Sequence, residues 1–421
     1  MSSKGASAMS EESDEKSALV PRLRFPEFRD AAAWKAAQLD KLISTVTPPK
    51  KIPTTEYLAE GLFPIIDQGQ SDIAGWTDDP SALIKNDEPL IIFGDHTCAL
   101  KVLREPFAQG ADGIKILKGN GPATTEFLYQ HLCFRPVLPE EYKRHFSIIR
   151  DKVIAYPEAK SGEQQKIADC LFSLDELITA ETQKLDALKT HKKGLMQQLF
   201  PREGETVPRL RFPEFRGTGQ WEEAELGQLV NIKGRIGYRG YTVEDIVASG
   251  EGAISLSPSN FTDSGALSLR KATYIAWGKY YESPEIKVER GFTLLVKTGS
   301  TYGKAAFVRD LPQECTVNPQ IVVLKPTSIS PYFLFLLVIG DVIQTRIQAT
   351  VVGGAIPTLS QESISKFKVR VPNSLEQQRI ADCLSSLDDL ITCQTRKIDI
   401  LKTHKKGLMQ QLFPVLDEVP A

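Results

Sequence analysis

"EQQKIADCLFSLDELITAETQKLDALKTHKKGLMQQLFP" (Glu163–Pro201) recurs as "EQQRIADCLSSLDDLITCQTRKIDILKTHKKGLMQQLFP" (Glu376–Pro414), identical at 31 of 39 positions. Apolar residues at Ile167, Leu171, Leu174, Ile178, Leu185, Leu188, Leu195 and Leu199 fall at the spacing of a heptad seam. The second copy repeats the frame at Ile380, Leu384, Leu387, Ile391, Ile398, Leu401, Leu408 and Leu412. Glu181 and Lys192 interrupt the first seam, and Gln394 and Lys405 the second. Acids gather early in the first copy (Glu163, Asp169, Asp175, Glu176) and lysines late (Lys189, Lys192, Lys193), as a helix dipole favours. The pattern predicts two long helices, each about 55 Å at 1.5 Å per residue. An apolar stripe needs a partner, and each copy is the obvious partner for the other. Paired antiparallel, they would close a direct repeat with pseudo-twofold symmetry. The plainer alternative is a helical connector that only tethers two domains.

A second element also repeats. "PRLRFPEFR" stands at Pro21 and at Pro208, and the likeness extends through Trp34/Trp221, Leu39/Leu226 and Leu42/Leu229. The chain therefore reads short frame, variable segment, long frame, twice. The variable segments differ in length and sequence, but "GIKILKGNGPATTEFLYQHL" and "QIVVLKPTSISPYFLFLLVI" both read as an apolar strand, a turn and an apolar helix. Two homologous domains with different surfaces are expected, in an α/β (α+β) chain. The expected divisions are a disordered leader at 1–20, domains at 21–157 and 202–372, helical segments at 158–201 and 373–414, and a tail at 415–421.

Composition narrows the class. With 421 residues, 41% hydrophobic and 25% charged, the chain is globular and large enough for more than one core. The apolar run Tyr332–Ile339 is far shorter than the roughly 20 residues of a membrane span, and the polar start lacks a signal-peptide stretch. A cytoplasmic location is expected. Six cysteines form no C-x-x-C pair and five histidines are scattered, so metal-ligand spacing is absent. A net charge of -2 does not announce a nucleic-acid binder. In residues 217–375, 16 Lys/Arg stand against 14 Asp/Glu, which decides nothing either way.

Catalytic motifs are missing. "KTGSTYGKAA" (Lys297–Ala306) has three residues between its glycines and Ala305 after Lys304, where a phosphate loop needs four and Ser/Thr. "VNPQI" around Asn318 lacks the Pro-Pro-aromatic tail of an amino-methyltransferase site. Glu285-x-Lys287 in "PEIKVE" is too short a fragment of a nuclease site and reads as a strand edge. A non-catalytic protein that holds two different readers remains, which suits an asymmetric bipartite DNA target.

The residues "RFPEFR…W…L", "EQQ(K/R)IADCL(F/S)SLD(E/D)LI" and "THKKGLMQQLFP" resemble the specificity subunit of type I restriction-modification systems. The resemblance spans Pro21–Pro414. It implies two target recognition domains separated by the conserved helices, each reading half of a split double-stranded DNA site. It also implies two methyltransferase subunits and restriction/translocase subunits as partners, with S-adenosylmethionine, ATP and Mg bound by those partners and no cofactor in this chain. The identical helix ends suggest a shared docking surface at His191, Lys192, Lys193, Gln197, His404, Lys405, Lys406 and Gln410.

Candidate DNA-contacting residues lie in the variable segments. "KGRIGYRGY" offers Lys233, Arg235 and Arg239 for phosphates or base edges, interleaved with Tyr238 and Tyr241. "TGSTYGK" offers Ser300, Thr301, Tyr302 and Lys304 on a Gly-flanked turn. "IIDQGQSDIAGW" supplies Gln68 and Gln70, which suit adenine. For each stretch, an ordinary surface turn is the competing reading. A coiled-coil scaffold without DNA contact is the competing function.

Overall fold

The computed structural model describes residues 19–111, 113–140, 143–350 and 358–414. The expected leader, except its last two residues, and the expected tail lie outside the described residues. The heptad segments form helices Glu163–Leu199 and Ser374–Leu412. The chain makes two compact units, one from residues up to Thr182 together with those from Arg396 onward, the other Gln183–Thr395. Each long helix is therefore shared between both units.

Within each unit, the early part of one helix runs antiparallel to the late part of the other. In the first unit, Ile167 and Leu171 share a core with Met409 and Leu412. In the second, Ile380 and Leu384 share one with Leu199. Every residue of the expected seam is buried or half-buried. Burying a Leu or Ile contributes about 1.5–3 kcal/mol each, so the helix pair is a main element of both cores.

The short frame locks onto the helix starts. Arg24 Nε and Nη2 donate to Glu163 Oε1 and Oε2, both at 2.7 Å. Arg211 does the same to Glu376 at 2.7 and 2.6 Å. Paired carboxylate oxygens match the planar guanidinium fork, which makes these the strongest kind of side-chain hydrogen bond. The neighbouring glutamine in each "EQQ" donates to proline carbonyls, Gln164 to Pro122 and Pro157 and Gln377 to Pro372. Each also accepts a backbone N–H from the start of the domain helix, Thr124 or Ser330. The repeated residues are thus a clasp between frame, domain and long helix.

The helix ends complete the clasp. In the first unit, the Phe413 ring lies 5.7 Å from Phe127 and 5.5 Å from Phe134, with Trp34 against Phe127. In the second, Phe200 lies 6.0 Å from Trp221 and 5.3 Å from Phe333. The backbone repeats the match: Leu23 N donates to Gln411 O, and Leu210 N to Gln198 O.

Both variable segments contain a four-stranded antiparallel sheet of matching order. In the first unit it runs Ile43–Val46, Ile114–Gly119, Leu90–Gly94, Leu100–Leu103; in the second it runs Val230–Gly234, Ile321–Pro326, Thr293–Val296, Ala305–Phe307. The expected apolar helix follows as Thr125–Phe134 and as Pro331–Ile339. A second sheet is built around a parallel pair, Phe63–Ile66 with Phe107–Gln109 and Ala253–Leu256 with Cys315–Val317. Its added edges differ: Leu83–Ile84 pairs beside Phe107–Gln109, whereas Ile246–Val247 pairs beside Thr273–Ile275. A two-stranded ribbon, Lys35–Gln38 with Val153–Tyr156 or Glu222–Glu225 with Lys368–Val371, ties each segment's start to its end.

"PEIKVE" is not a strand edge. Pro284–Ile286 is a 3-10 turn, and only Val288 bridges to Cys315. Among the described residues no single helix is long and apolar enough to cross a membrane; Pro331–Ile339 and Asp341–Ala349 pass that test only as a pair bent by 53°. Tyr332–Val338 are buried in the second core.

Candidate nucleic-acid interface

Strand order gathers three loops at one end of each four-stranded sheet. In the first unit they follow Ile66, Gly94 and Gln109, and hydrogen bonds pin them together. Thr97 Oγ1 donates to Gln68 O at 2.5 Å, and Asp95 N to Gly113 O at 2.7 Å. Lys101 Nζ donates to Asp67 O at 3.2 Å and Ser71 O at 2.5 Å, and burial lowers its pKa. Cys98 adopts φ 54°, a left-handed conformation rare for a residue with a Cβ. Such strain persists only where its surroundings over-determine it.

Gln68 sits in a cradle that glycine keeps open. A Cβ on Gly113, where φ is 101°, would come within 2.7 Å of the Gln68 amide. Gln68 Oε1 is buried without a hydrogen-bond partner among the described residues. Gln70 on the same loop is exposed. The structure brings both residues to the clustered sheet end.

In the second unit the corresponding loops follow Leu256, Val296 and Val317. Asn318 N donates to Leu256 O at 2.8 Å, and Lys297 N to Gln320 O at 2.8 Å. Asn318 Nδ2 donates to Gln320 Oε1 at 3.0 Å. Ser300 and Thr301 are exposed on the hairpin joining Thr293–Val296 to Ala305–Phe307. Lys304 pairs with Asp263 at 2.9 Å, and Tyr302 donates to Ile347 O at 3.1 Å. "TGSTYGK" and "DQGQ" therefore occupy the same end of corresponding domains.

The third stretch divides. Arg235 is only 4% exposed and donates to Val317 O, Thr316 Oγ1 and Arg239 O. Its guanidinium holds the loop from inside, which removes it from any contact surface. Burial lowers its pKa, and the Tyr241 ring lies 5.5 Å away. Lys233 and Arg239 are half-buried, Arg239 with a bond to Glu282 O at 3.0 Å. The Tyr238 side chain lies outside the described residues.

Thr97, Lys101, Asn318 and Gln320 belong to these clusters and are not marked by any local pattern. "VNPQI" draws attention only as a defective methyltransferase motif. What would have found it is the alignment of strand ends between the two segments.

The docking set also divides. Lys192 Nζ lies 2.6 Å from Asp388 Oδ1 within the second unit, and Lys405 Nζ 2.6 Å from both Asp175 oxygens within the first. These lysines, 14% and 13% exposed, are the polar interruptions of the seam and are spent inside the helix pair. Glu181 is likewise paired with Lys397 at 2.5 Å. His191, Lys193, Gln197, His404, Lys406 and Gln410 are exposed and form the same pattern on both helices.

Residues 219–403 match the family described as type I restriction modification DNA specificity domain. That match covers 185 of the 421 residues, a little under half of the chain. It is 20% identical over 268 residues to the type I restriction enzyme MjaVIII specificity subunit of Methanocaldococcus jannaschii, covering 62% of this chain and 61% of that protein. It is 26% identical over 138 residues to the type I restriction enzyme HindI specificity subunit of Haemophilus influenzae, 32% of this chain and 30% of that one. The matches thus span about six tenths or less of these relatives. Among solved structures, the S subunit of a type I restriction-modification system from M. genitalium aligns with TM-score 0.63 at 16% identity, covering 95% of this chain and 100% of that one. A chain from a structure of type I R-M complex assembly and conformational transition aligns with TM-score 0.50 at 14% identity, covering 90% and 97%. These two likenesses concern the fold.

Proposed function

We propose that this chain is the DNA sequence-specificity subunit of a type I restriction-modification complex, binding an asymmetric bipartite site and scaffolding catalytic partners. The observation that carries the reading is one frame built twice around two loop clusters of the same position and different chemistry. Gln68, Gln70 and Thr97 stand in one, and Ser300, Thr301, Asn318 and Gln320 in the other. Amides and hydroxyls read base edges, while Lys233 and Lys304 reach toward phosphates. The proposed target recognition domains are 21–157 and 202–372.

The chain itself is non-catalytic in this reading. S-adenosylmethionine would be held by two methyltransferase subunits, and ATP and Mg by restriction subunits, all in the cytoplasm with the DNA. The repeated exposed set His191, Lys193, Gln197 and His404, Lys406, Gln410 gives two equivalent docking surfaces for those partners. Lys192 and Lys405 support the surface from within the helix pair.

The test is DNA binding by the chain assembled with methyltransferase subunits. A split-site preference with steep salt dependence is expected. Exchanging residues 44 to 155 for another family member's segment should change one half-site only. Changes in both halves would break the two-reader reading, and no sequence preference would favour the scaffold alternative.

A further inference from the structure

The second variable segment carries a surface feature that the loop clusters do not explain. Helix Trp277–Tyr281 displays two large aromatic rings, Trp277 at 39% and Tyr281 at 61% exposure. Their centroids are 6.2 Å apart with planes 30° from parallel, so they form a shallow step. Buried Tyr280 supports both edge-on, at 5.8 Å from Trp277 and 5.2 Å from Tyr281. Lys287 Nζ lies 4.7 Å from the Tyr280 ring and 4.9 Å from that of Tyr281.

Exposing so much aromatic area is unfavourable unless something covers it. Two observations indicate what does. The step adjoins the candidate DNA loop, because Arg239 Nη1 donates to Glu282 O at 3.0 Å and pairs with Glu285 at 3.8 Å. Glu282 pairs with Lys279 at 2.8 Å and Glu285 with Arg239 at 3.8 Å, while the charges of Glu314 and Glu289 act on buried Tyr280 beneath the step. Lys287 remains over the rings. Flat rings with an adjoining cation, continuous with a polar loop, suit the face of a nucleobase and its phosphate.

We propose that Trp277 and Tyr281 form a stacking platform for one unstacked base of the DNA beside the half-site read by the second domain. The inference rests on the DNA-recognition reading. Opening one step of the duplex has a cost that stacking on an aromatic ring offsets in part. The platform therefore makes binding sensitive to how easily that step unstacks, which is selectivity without a base-edge contact. The first domain carries its added strand at Leu83–Ile84, beside the other partner of the parallel pair.

The experiment is photocrosslinking. Duplexes carrying the methylated site mapped from host DNA, with 5-iododeoxyuridine replacing each thymidine in turn, are bound by the chain with its methyltransferase subunits and irradiated. Crosslinks to Trp277 or Tyr281 from one or two adjacent positions are expected. The double variant Trp277→Ala, Tyr281→Ala should lose about tenfold in affinity, and Trp277→Phe most of that loss should be spared. Duplex bound without a crosslink to either ring, or a double variant binding as tightly as the parent, overturns the platform alone. A double variant that loses methyltransferase assembly while crosslinking elsewhere on the DNA is unchanged overturns it in favour of a protein contact. Absence of all site-specific binding by the parent sinks the DNA reading and the platform with it.

Discussion

The two units make the same closure by opposite routes along the chain. In the second, the helix end at Gln198–Phe200 meets a frame that follows it directly, through Leu210 and Trp221. In the first, Gln411–Phe413 returns from the far end of the chain to Leu23 and to the Phe127 ring beside Trp34. Geometry is preserved while connectivity is reversed. The comparison teaches that the repeated residues encode an interface, and that the chain's order is one of several ways to supply its two sides.

That comparison breaks most readily at the aromatic plug. Phe413 is 1% exposed, whereas Phe200 is half-buried. Phe413→Ala should cost about 4 kcal/mol, and Phe200→Ala clearly less. Hydrogen exchange resolved by unit should show the first loss confined to the first unit. Equal effects would mean that the plugs are interchangeable.

The clasp comes next. Glu163→Gln and Glu376→Gln each weaken a bidentate pair whose acid is 1% exposed, and should cost roughly 2 kcal/mol in denaturant unfolding. Trp221 Nε1 donates to Glu376 at 3.4 Å, but Trp34 Nε1 has no partner among the described residues. The second substitution should therefore be the more damaging. The reverse order would show that the indole bond contributes nothing.

Smaller still are the seam pairs. A double-mutant cycle on Lys192–Asp388 should give a coupling of about 1 kcal/mol, and one on Lys405–Asp175 about half that. Each acid also accepts from its domain helix, Asp388 from Tyr332 and Asp175 from Gln130, but Asp388 is 16% exposed and Asp175 37%. Identical couplings would mean that the difference in exposure is irrelevant.

The least effect near neutral pH belongs to His131. Burial among Phe127, Phe134 and Phe413 lowers its pKa to about 3, so the folded ring stays neutral. The unfolded chain takes up the proton near pH 6.5. Stability is therefore retained above that value and lost as pH falls toward 3, by up to about 1.4 kcal/mol per pH unit. Leu337 stands four residues after Phe333, as His131 does after Phe127. His131→Leu should flatten the first unit's pH dependence to that of the second, and an unchanged acid slope would assign it to other groups.

Much of the fold was legible because it is periodic or repeated. The heptad at Ile167–Leu199 and Ile380–Leu412 names its own partner, and the strand-turn-helix at Ile114–Phe134 has its counterpart at Ile321–Ile339. The site was less legible because its residues meet through strand order. Nothing local joins Gln68 to Thr97, or Leu256 to Asn318. Arg235 illustrates the limit: a basic, glycine-flanked loop predicts exposure, but the guanidinium satisfies Val317 and Thr316 within the domain. Lys192 and Lys405 mislead in the same way, since lysine at a seam position is rare unless an acid faces it.

Those seam pairs also decide direction. If the helices lay side by side in the same sense, position against equivalent position, Lys192 would oppose Lys405 and Asp175 would oppose Asp388. Like charges would then meet in a sparsely hydrated seam. Run in opposite senses, every one of the four finds its complement. Two nearly identical helices thus reject alignment with their own likeness, and a chain whose halves are copies is steered away from pairing in parallel with either one.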